Sequence, residues 1–317
     1  MLLASRDKRD EPPSPRLPSQ KRAPMIAQIA AIVLPVFLLA LMGFIWVRVG
    51  LDYEYKFVTR LTLEIGTPCL IFSTLVKTDI DPTAFQEIAL ASLSLYFVLG
   101  LLAWAALRSL KLSLQTYLSP FIFSNTGNVG LPLSLFAFGP EGLAYAIAIF
   151  ATMVVVNFSV GVWIVSGKPA PWDAFKQPMV YAALLGALFL YQGWQVPLWI
   201  GNTVDLAGQI VIPLMLITLG ASIAGLPKEA PWRIIGLSLL KYALSGGVAL
   251  GAAWAFGLSG VAFGVFILQA MTPVAVTSYL LAERFKAGGP EVARFVMLTT
   301  LLAVPIIPVL LRVLLAP

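Results

Sequence analysis

Ten long apolar runs dominate this chain of 317 residues and limit what it can fold into. An α-helix needs about 20 apolar residues to cross roughly 30 Å of hydrocarbon. Only 11% of the residues are charged, whereas a soluble globular protein carries about 25% charged residues. An apolar excess of this size cannot be buried in one soluble core. The sequence therefore predicts an all-α polytopic membrane protein with ten transmembrane helices.

Short polar or Pro/Gly-rich stretches separate the predicted transmembrane segments. The segments cover residues 26–48, 61–77, 87–107, 115–139, 142–166, 178–195, 203–225, 233–256, 259–282 and 291–315. Residues 1–24 contain nine charges and five prolines without apolar periodicity, which predicts a disordered tail. We interpret this tail as a mis-called extension in front of a natural start at Met25.

The composition argues against several kinds of site. The chain has no histidine and a single cysteine, Cys69, so neither a zinc site nor any other metal or cofactor is expected. No segment contains a mid-depth pair of acids or an HExxH motif, which argues against an intramembrane enzyme. The net charge of +6 is spread over short loops. It forms no basic face, so nucleic acid is not a predicted partner.

Lys and Arg residues set the predicted orientation. The loops after odd-numbered segments contain twelve of them, and the opposite side contains only Lys77 and Arg312 when the tail is left out. The odd-numbered loops are therefore predicted to be cytoplasmic, with both termini outside a cell (inner) membrane.

Prolines recur at a nearly constant offset between the two halves of the chain. The pairs are Pro35 and Pro178, Pro68 and Pro213, and Pro132 and Pro273, with offsets of 143, 145 and 141 residues. This pattern predicts a duplicated five-helix unit, residues 25–166 and 178–317, joined by a cytoplasmic linker at 167–177. Because five is odd, the second copy is inverted, as in many secondary transporters. The alternative is coincidence among 23 prolines.

Two segments in corresponding places contain residues that interrupt helices. The fourth reads SNTGNVGLP and the ninth reads LQAMTPVAV. Proline removes a backbone donor and glycine frees the backbone, so both segments are predicted to unwind near mid-depth. The predicted loss of winding lies at Asn128–Pro132 and at Thr272–Pro273.

Crossing breaks would bring two half-helix N-termini together, where unpaired N–H groups can hold a carboxylate. The predicted substrate-binding residues are Asn125, Thr126, Gly127, Asn128, Gly130, Pro132, Gln269, Met271, Thr272, Pro273 and Lys241. The alternative is a packing kink whose polar groups bond to neighbouring helices. Lys241 either attracts an anion at the cytoplasmic mouth or extends its stem to the membrane interface. The GxxxG pairs Gly247/Gly251 and Gly260/Gly264 predict close helix packing.

SNTGNVGLPLSLFAFGPEGL resembles the fourth helix of the auxin efflux carrier family, which also includes bacterial malonate and malate carriers. TPCLIFSTL, IPLMLITLGASIA, TPVAVTSYLLAERF and TTLLAVPIIPVLL extend the resemblance from Met25 onward. It implies two inverted five-helix repeats, divided into a scaffold and a transport domain. Helices 4 and 9 would break and cross at Pro132 and Pro273, and a homodimer through the scaffold would follow the family.

The fold is also similar to that of sodium-coupled bile acid symporters, which use an acid in the ninth helix. The acid in this segment, Glu283, lies ten residues past Pro273, about 15 Å along a helix. A sodium site of that kind is therefore not expected. The sequence predicts a uniporter or proton-linked carrier that exports a small organic anion. A sodium-coupled symporter, an anion channel and a membrane-embedded receptor are the alternatives.

Overall fold

The computed structural model describes residues 24–78, 81–169, 172–225 and 231–316, and within these ranges the chain is helical. The α-helices are α1 (Met25–Arg48), α2 (Tyr55–Leu61), α3 (Thr67–Lys77), α4 (Pro82–Ser109), α5 (Leu114–Ile122), α6 (Leu131–Val156), α7 (Val162–Ser166), α8 (Pro178–Gln192), α9 (Leu198–Gln209), α10 (Val211–Ala224), α11 (Trp232–Ala255), α12 (Gly260–Ala270), α13 (Val276–Arg284) and α14 (Gly289–Leu314). The described ranges contain no β-strand. Residues 1–23 of the predicted tail, residues 170–171 of the predicted linker and Lys228 lie outside the described residues.

The described ranges also contain four shorter helical turns. Three are π-helical, Thr62–Gly66, Thr126–Gly130 and Asn157–Gly161, and one, Asp173–Lys176, is a 3₁₀ turn. Single π-turns inside α-helices occur frequently at functional sites. The second of them, Thr126–Gly130, overlaps the predicted unwound stretch Asn128–Pro132.

Six helical segments in the described ranges are long and apolar enough to cross a membrane. They are Met25–Arg48, Thr83–Ser109, Thr126–Ser166, Leu198–Ala224, Trp232–Ala255 and Gly289–Leu314. Two further helices, α8 and α12, are apolar but shorter. The chain is therefore a multi-pass, all-helical membrane protein, as its composition predicts.

The predicted boundary between the fourth and fifth segments is a kink inside one helical run. Gly139 has φ 68° and ψ −161°, and Pro140 follows it inside α6. A positive φ is accessible to glycine without strain, and proline removes the next backbone donor. The run Thr126–Ser166 has 41 residues, which makes it roughly 60 Å long, about twice the thickness of the hydrocarbon layer.

The second predicted segment starts earlier than expected. Helix α2 begins at Tyr55, and the run continues through the π-turn and α3 to Lys77. A search for apolar runs in the sequence misses the first six residues because they include the charged residues Lys56 and Arg60 of α2. Arg60 lies beside Glu64 one turn later, with 3.0 Å between Nε and Oε1.

Interfacial features mark the ends of two long helices. Trp232 and Trp254, at the two ends of α11, are 84% and 87% exposed, as expected of aromatic residues at the membrane–water boundary. At the start of α4, the Asp81 carboxylate accepts a hydrogen bond from the Thr83 amide. This bond caps the helix and lowers the pKa of the Asp81 carboxyl group.

Helices α1 and α10 pack closely against each other. A Cβ atom at Gly220 would lie 1.6 Å from the carbonyl oxygen of Ala40, and one at Gly43 would lie 1.9 Å from that of Ile217. Of the two predicted GxxxG pairs, Gly247, Gly251 and Gly260 do not pack closely, since a Cβ at each would meet nothing within 4 Å. Gly264 does, because a Cβ there would lie 2.6 Å from the Phe138 ring. The close approach instead uses isolated glycines on helices far apart in sequence.

Two groups of helices provide the framework of the site. In one, α1 packs on α10, and α3 packs on α8 and α9. In the other, α4 packs on α5, α6 and α11, while α6 also contacts α12. Helix α14 packs on α11 and α13. The two groups meet where α1 contacts α6 and α14, where α8 contacts α6, and where α10 contacts the π-turn Thr126–Gly130.

Candidate functional site

The fourth and ninth predicted segments are both interrupted in the middle. Helix α5 ends at Ile122, residues 123–125 are non-helical, and the π-turn Thr126–Gly130 leads into α6. Helix α12 ends at Ala270, and α13 begins at Val276. Each segment thus consists of two half-helices joined by a short extended stretch.

The two interruptions pair with each other as a small antiparallel bridge between Ser124 and Val274. The Asn125 amide donates to the Pro273 carbonyl at 2.6 Å, and the Ala275 amide donates to the Phe123 carbonyl at 3.1 Å. These bonds satisfy backbone groups that would otherwise be unpaired in an apolar interior. We call this paired region, residues 123–125 and 271–275, the crossover.

The crossover lies several residues before the position that the sequence predicts for the fourth segment. Pro132 is the second residue of α6 and lies inside the continuous helical run that starts at Thr126, so it is not part of the unwound stretch. The interruption begins instead at Phe123, directly after α5 ends at Ile122. In the ninth segment Pro273 does lie within the extended stretch.

The polar residues after the first interruption mostly organise the half-helix start. The Asn125 side-chain oxygen accepts a hydrogen bond from the Asn128 amide at 3.2 Å and so caps the π-turn. Its amide nitrogen Nδ2 and the Thr126 hydroxyl are buried, and neither has a hydrogen-bond partner among the described residues. Gly127 lets the Phe150 ring approach, since a Cβ would lie 2.9 Å from that ring.

Gly130 and Gln269 form a direct contact between the two interrupted segments. A Cβ at Gly130 would lie 2.0 Å from the Gln269 side-chain oxygen, so a larger residue there would displace the Gln269 side chain. Gln269 is fully buried, and its amide nitrogen donates to the Ser134 hydroxyl at 3.3 Å. Its side-chain oxygen has no partner among the described residues.

The residues after α12 pack into the crossover. The Met271 sulfur would lie 3.0 Å from a Cβ at Gly246 of α11, so Met271 packs against that helix. The Thr272 hydroxyl donates back to the Gln269 carbonyl at 2.8 Å. The Val274 amide donates to the Thr299 hydroxyl of α14 at 3.1 Å.

Lys241 of α11 lies against the crossover and is fully buried. Its ammonium group donates to the Thr272 carbonyl at 2.6 Å and to the Ser124 hydroxyl at 2.8 Å. It therefore contacts both interruptions at once. It does not extend to the membrane interface, and it does not lie at the mouth of the cavity described next, so neither predicted arrangement of this side chain is present.

A cavity of about 340 Å³ lies beside the crossover, between the two groups of helices. Its lining residues come from α2 and the following π-turn, from the second π-turn, and from α10, α13 and α14. They are Tyr55, Thr59, Thr62, Leu63, Asn128, Met215, Thr218, Ser222, Ile223, Gly225, Val276, Thr277, Tyr279, Leu280 and Val296. The lining contains hydroxyl and amide groups among apolar side chains, and none of these residues carries a formal charge.

Both half-helix starts face this cavity. Asn128 belongs to the first turn after the first interruption, and Val276 and Thr277 are the first two residues of α13. The hydroxyl groups of Thr62 and Thr277 are buried, and neither has a hydrogen-bond partner among the described residues. The cavity thus presents two positive helix ends together with polar groups that are free to bind a ligand.

Of the predicted site residues, only Asn128 lines this cavity; the remainder lie in or around the crossover. Sequence reasoning missed the hydroxyl residues on the facing helices. Tyr55, Thr59 and Thr62 follow the i, i+4, i+7 spacing of one helix face, and Thr218 and Ser222 follow i, i+4. A polar stripe inside an apolar segment is the signal that could have identified them.

A second cavity of about 320 Å³ is lined almost entirely by apolar groups. Pro273 and Val129 line it at the crossover, together with residues of α1, α10 and α14. Ile223 belongs to the walls of both cavities. Pro273 is the crossover residue that borders this apolar space.

Comparison with known proteins finds a family of membrane transport proteins. A family model described as "Membrane transport protein" matches residues 28–173 and again residues 162–311. Together the two matches cover nearly all of the described chain.

Individual relatives carry more specific names. An uncharacterized transporter of Methanocaldococcus jannaschii is 25% identical over 85% of this chain and 93% of its own length. A "Putative malonate transporter" of Rhizobium meliloti is 22% identical over 88% of this chain and 93% of its own length. A "Probable auxin efflux carrier component 9" of Oryza sativa subsp. japonica is 26% identical over 44% of this chain and 37% of its own length.

Proposed function

Because the chain belongs to the membrane transport protein family, the family of the auxin efflux carriers, and is a transporter and not an enzyme, we propose that its cargo is a small organic anion. The proposed cargo class is a carboxylate, such as a dicarboxylate or an auxin-like acid. The carrier would work by alternating access as a uniporter or proton-linked exporter. The names of the malonate and auxin relatives support the class of cargo.

One observation carries this proposal: both half-helix starts face one hydroxyl-lined cavity that contains no formal charge. Partial positive charges at helix N-termini stabilise a carboxylate without a fixed counter-ion. Binding of that kind is weak enough for release, which a carrier needs. The first-turn residues Asn128 and Thr277 would donate directly, and Thr62 would donate from the facing group of helices.

We propose that the chain crosses the membrane ten times, as two inverted five-helix units. The long run Thr126–Ser166 then makes two crossings that meet at the Gly139 kink, since one crossing cannot accommodate 41 residues. The interrupted pair α5–α6 and the pair α12–α13 would be equivalent elements of the two units. In the same scheme the group containing α1, α3, α8, α9 and α10 is the scaffold, and it would form the homodimer contact.

The proposed orientation places the loops after odd-numbered segments in the cytoplasm of a cell with an inner membrane. A cysteine introduced at Lys176, in a Cys69→Ala background, should react with a membrane-impermeant maleimide only after the cells are opened. A cysteine introduced at Gly257, in the loop after the eighth segment (α11), should react in intact cells because loops after even-numbered segments are proposed to lie outside. Labelling of position 176 in intact cells would show that the orientation is opposite to the one proposed.

The cargo is tested by uptake into proteoliposomes that contain the purified full chain. Labelled malonate, malate and indole acetate should each be compared with an equally small neutral compound such as labelled glycerol. We expect saturable movement of at least one acid, and none of glycerol. If glycerol moves as fast as the acids, the protein is a pore and not a carrier of anions. If none of the three acids moves, the proposed cargo class is wrong.

A further inference from the structure

The Lys241 ammonium group is a positive charge in the interior that has no acidic neighbour among the described residues in contact with it. It donates to the Thr272 carbonyl and the Ser124 hydroxyl, and it lies 5.0 Å from the centre of the Tyr242 ring. The Ser124 hydroxyl in turn donates to the Ala270 carbonyl at 3.0 Å. The ammonium group is therefore surrounded by oxygen atoms and one aromatic face.

The position of this charge along the helices explains how it is tolerated. Ser124 follows the C-terminal end of α5, and Ala270 is the last residue of α12. Each helix C-terminus carries a partial negative charge of up to about half a unit, so the two ends together offset about one positive charge. The crossover thus has opposite electrostatic sides: two helix starts face the cavity, and two helix ends face Lys241.

In transporters with interrupted helices, the N-terminal half-helix ends bind anionic cargo, while the C-terminal ends and unwound carbonyls bind a sodium ion. We propose that the Lys241 ammonium group is a built-in cation that occupies this second position. It holds the two interrupted segments together, and it removes the need for a coupling metal cation. The statement that no coupling metal cation is needed rests on the proposed function. The contacts of Lys241 with the two interrupted segments do not depend on the cargo.

The tyrosine next to Lys241 ties α11 to the crossover a second time. The Tyr242 hydroxyl donates to the Thr299 carbonyl at 2.7 Å, and the Thr299 hydroxyl accepts from the Val274 amide. Helix α11 would therefore move together with both interrupted segments during transport. Lys241 is a positioning residue in this scheme, since it contacts the crossover and not the cavity.

The test replaces the built-in cation with one supplied from solution. Lys241→Ala removes the atoms of n-propylammonium, so this ion should refill the space. We expect the variant to unfold about 5 °C or more below the wild type, because buried hydrogen bonds to a charged group are lost. n-Propylammonium should restore most of this difference, whereas n-propanol and tetrapropylammonium should not. Lys168→Ala, at an exposed lysine, serves as the control and should respond to none of them.

A second measurement uses the wild-type chain and does not depend on the variant folding. Its unfolding temperature, and its uptake of any acid it moves, should be the same in sodium, potassium and choline chloride. Saturable stabilisation of the wild type by sodium would overturn the proposal. So would a Lys241→Ala variant as stable as the wild type, or one that n-propylammonium stabilises no more than it stabilises Lys168→Ala.

These readouts separate this inference from the cargo proposal. If no organic acid moves but n-propylammonium restores the stability of Lys241→Ala, the built-in cation is supported and the cargo proposal fails. If acids move and their uptake requires sodium, the cargo proposal stands and the built-in cation fails. Should Lys241→Ala be obtained only when n-propylammonium is present during purification, that result supports the built-in cation.

Discussion

Replacing Gly220 with alanine should prevent α1 and α10 from packing. The added Cβ would lie 1.6 Å from the Ala40 carbonyl oxygen and 2.5 Å from its carbon. Both are backbone atoms, so no side-chain rotation can relieve the contact, and α1 must move as a whole. We expect a loss of about 3 kcal/mol or more of stability, at or beyond the upper end for overpacked interiors. The measurement is the unfolding temperature and the monodisperse yield of the purified chain.

Gly247→Ala is the matched control for this substitution. Gly247 also lies inside a transmembrane helix, α11, but a Cβ there would meet nothing within 4 Å. Alanine favours a helix over glycine by about 1 kcal/mol in water, so the control should unfold at the wild-type temperature or slightly above it. Equal unfolding temperatures for Gly220→Ala and the wild type would mean that α1 and α10 do not approach as closely as described.

The class of fold follows from the sequence because lipid imposes strict requirements on composition and segment length. The interruptions also follow, since proline and glycine act locally on the backbone. The residues at which the segments unwind do not follow from the sequence. The fourth segment unwinds at Phe123–Asn125, where no proline or glycine is present, because these residues pair with residues 273–275 of a distant segment.

The candidate site shows the same division between local and tertiary information. Asn128 could be identified because it lies within a motif that breaks a helix. The contacts of Lys241 could not be predicted from the sequence. They depend on the Ser124 and Thr272 oxygens, which belong to distant segments of the chain. The contact at Gly43 and Gly220 was equally hidden, because each is an isolated glycine without a repeated pattern.

Replacing Asn128 with leucine should remove most transport while leaving the fold intact. The substitution keeps the approximate volume of the side chain but removes its hydrogen-bonding groups from the cavity. The cap formed with Asn125 uses the backbone amide of residue 128, so it persists in the variant. Loss of a hydrogen bond to a charged ligand costs about 1.5–3 kcal/mol, which corresponds to a decrease of roughly 10-fold to 100-fold in kcat/KM for a carboxylate.

The control for this prediction is Asn202→Leu, at an exposed asparagine of α9. Both variants should unfold at the wild-type temperature, and only Asn128→Leu should lose uptake. A loss shared equally by both variants would indicate a general effect of the apolar substitution on the protein. Wild-type kcat/KM in Asn128→Leu would mean that the cargo does not bind at the half-helix starts. The hydroxyl-lined cavity would then lose its proposed role, whereas the pairing of the two interrupted segments would be unaffected.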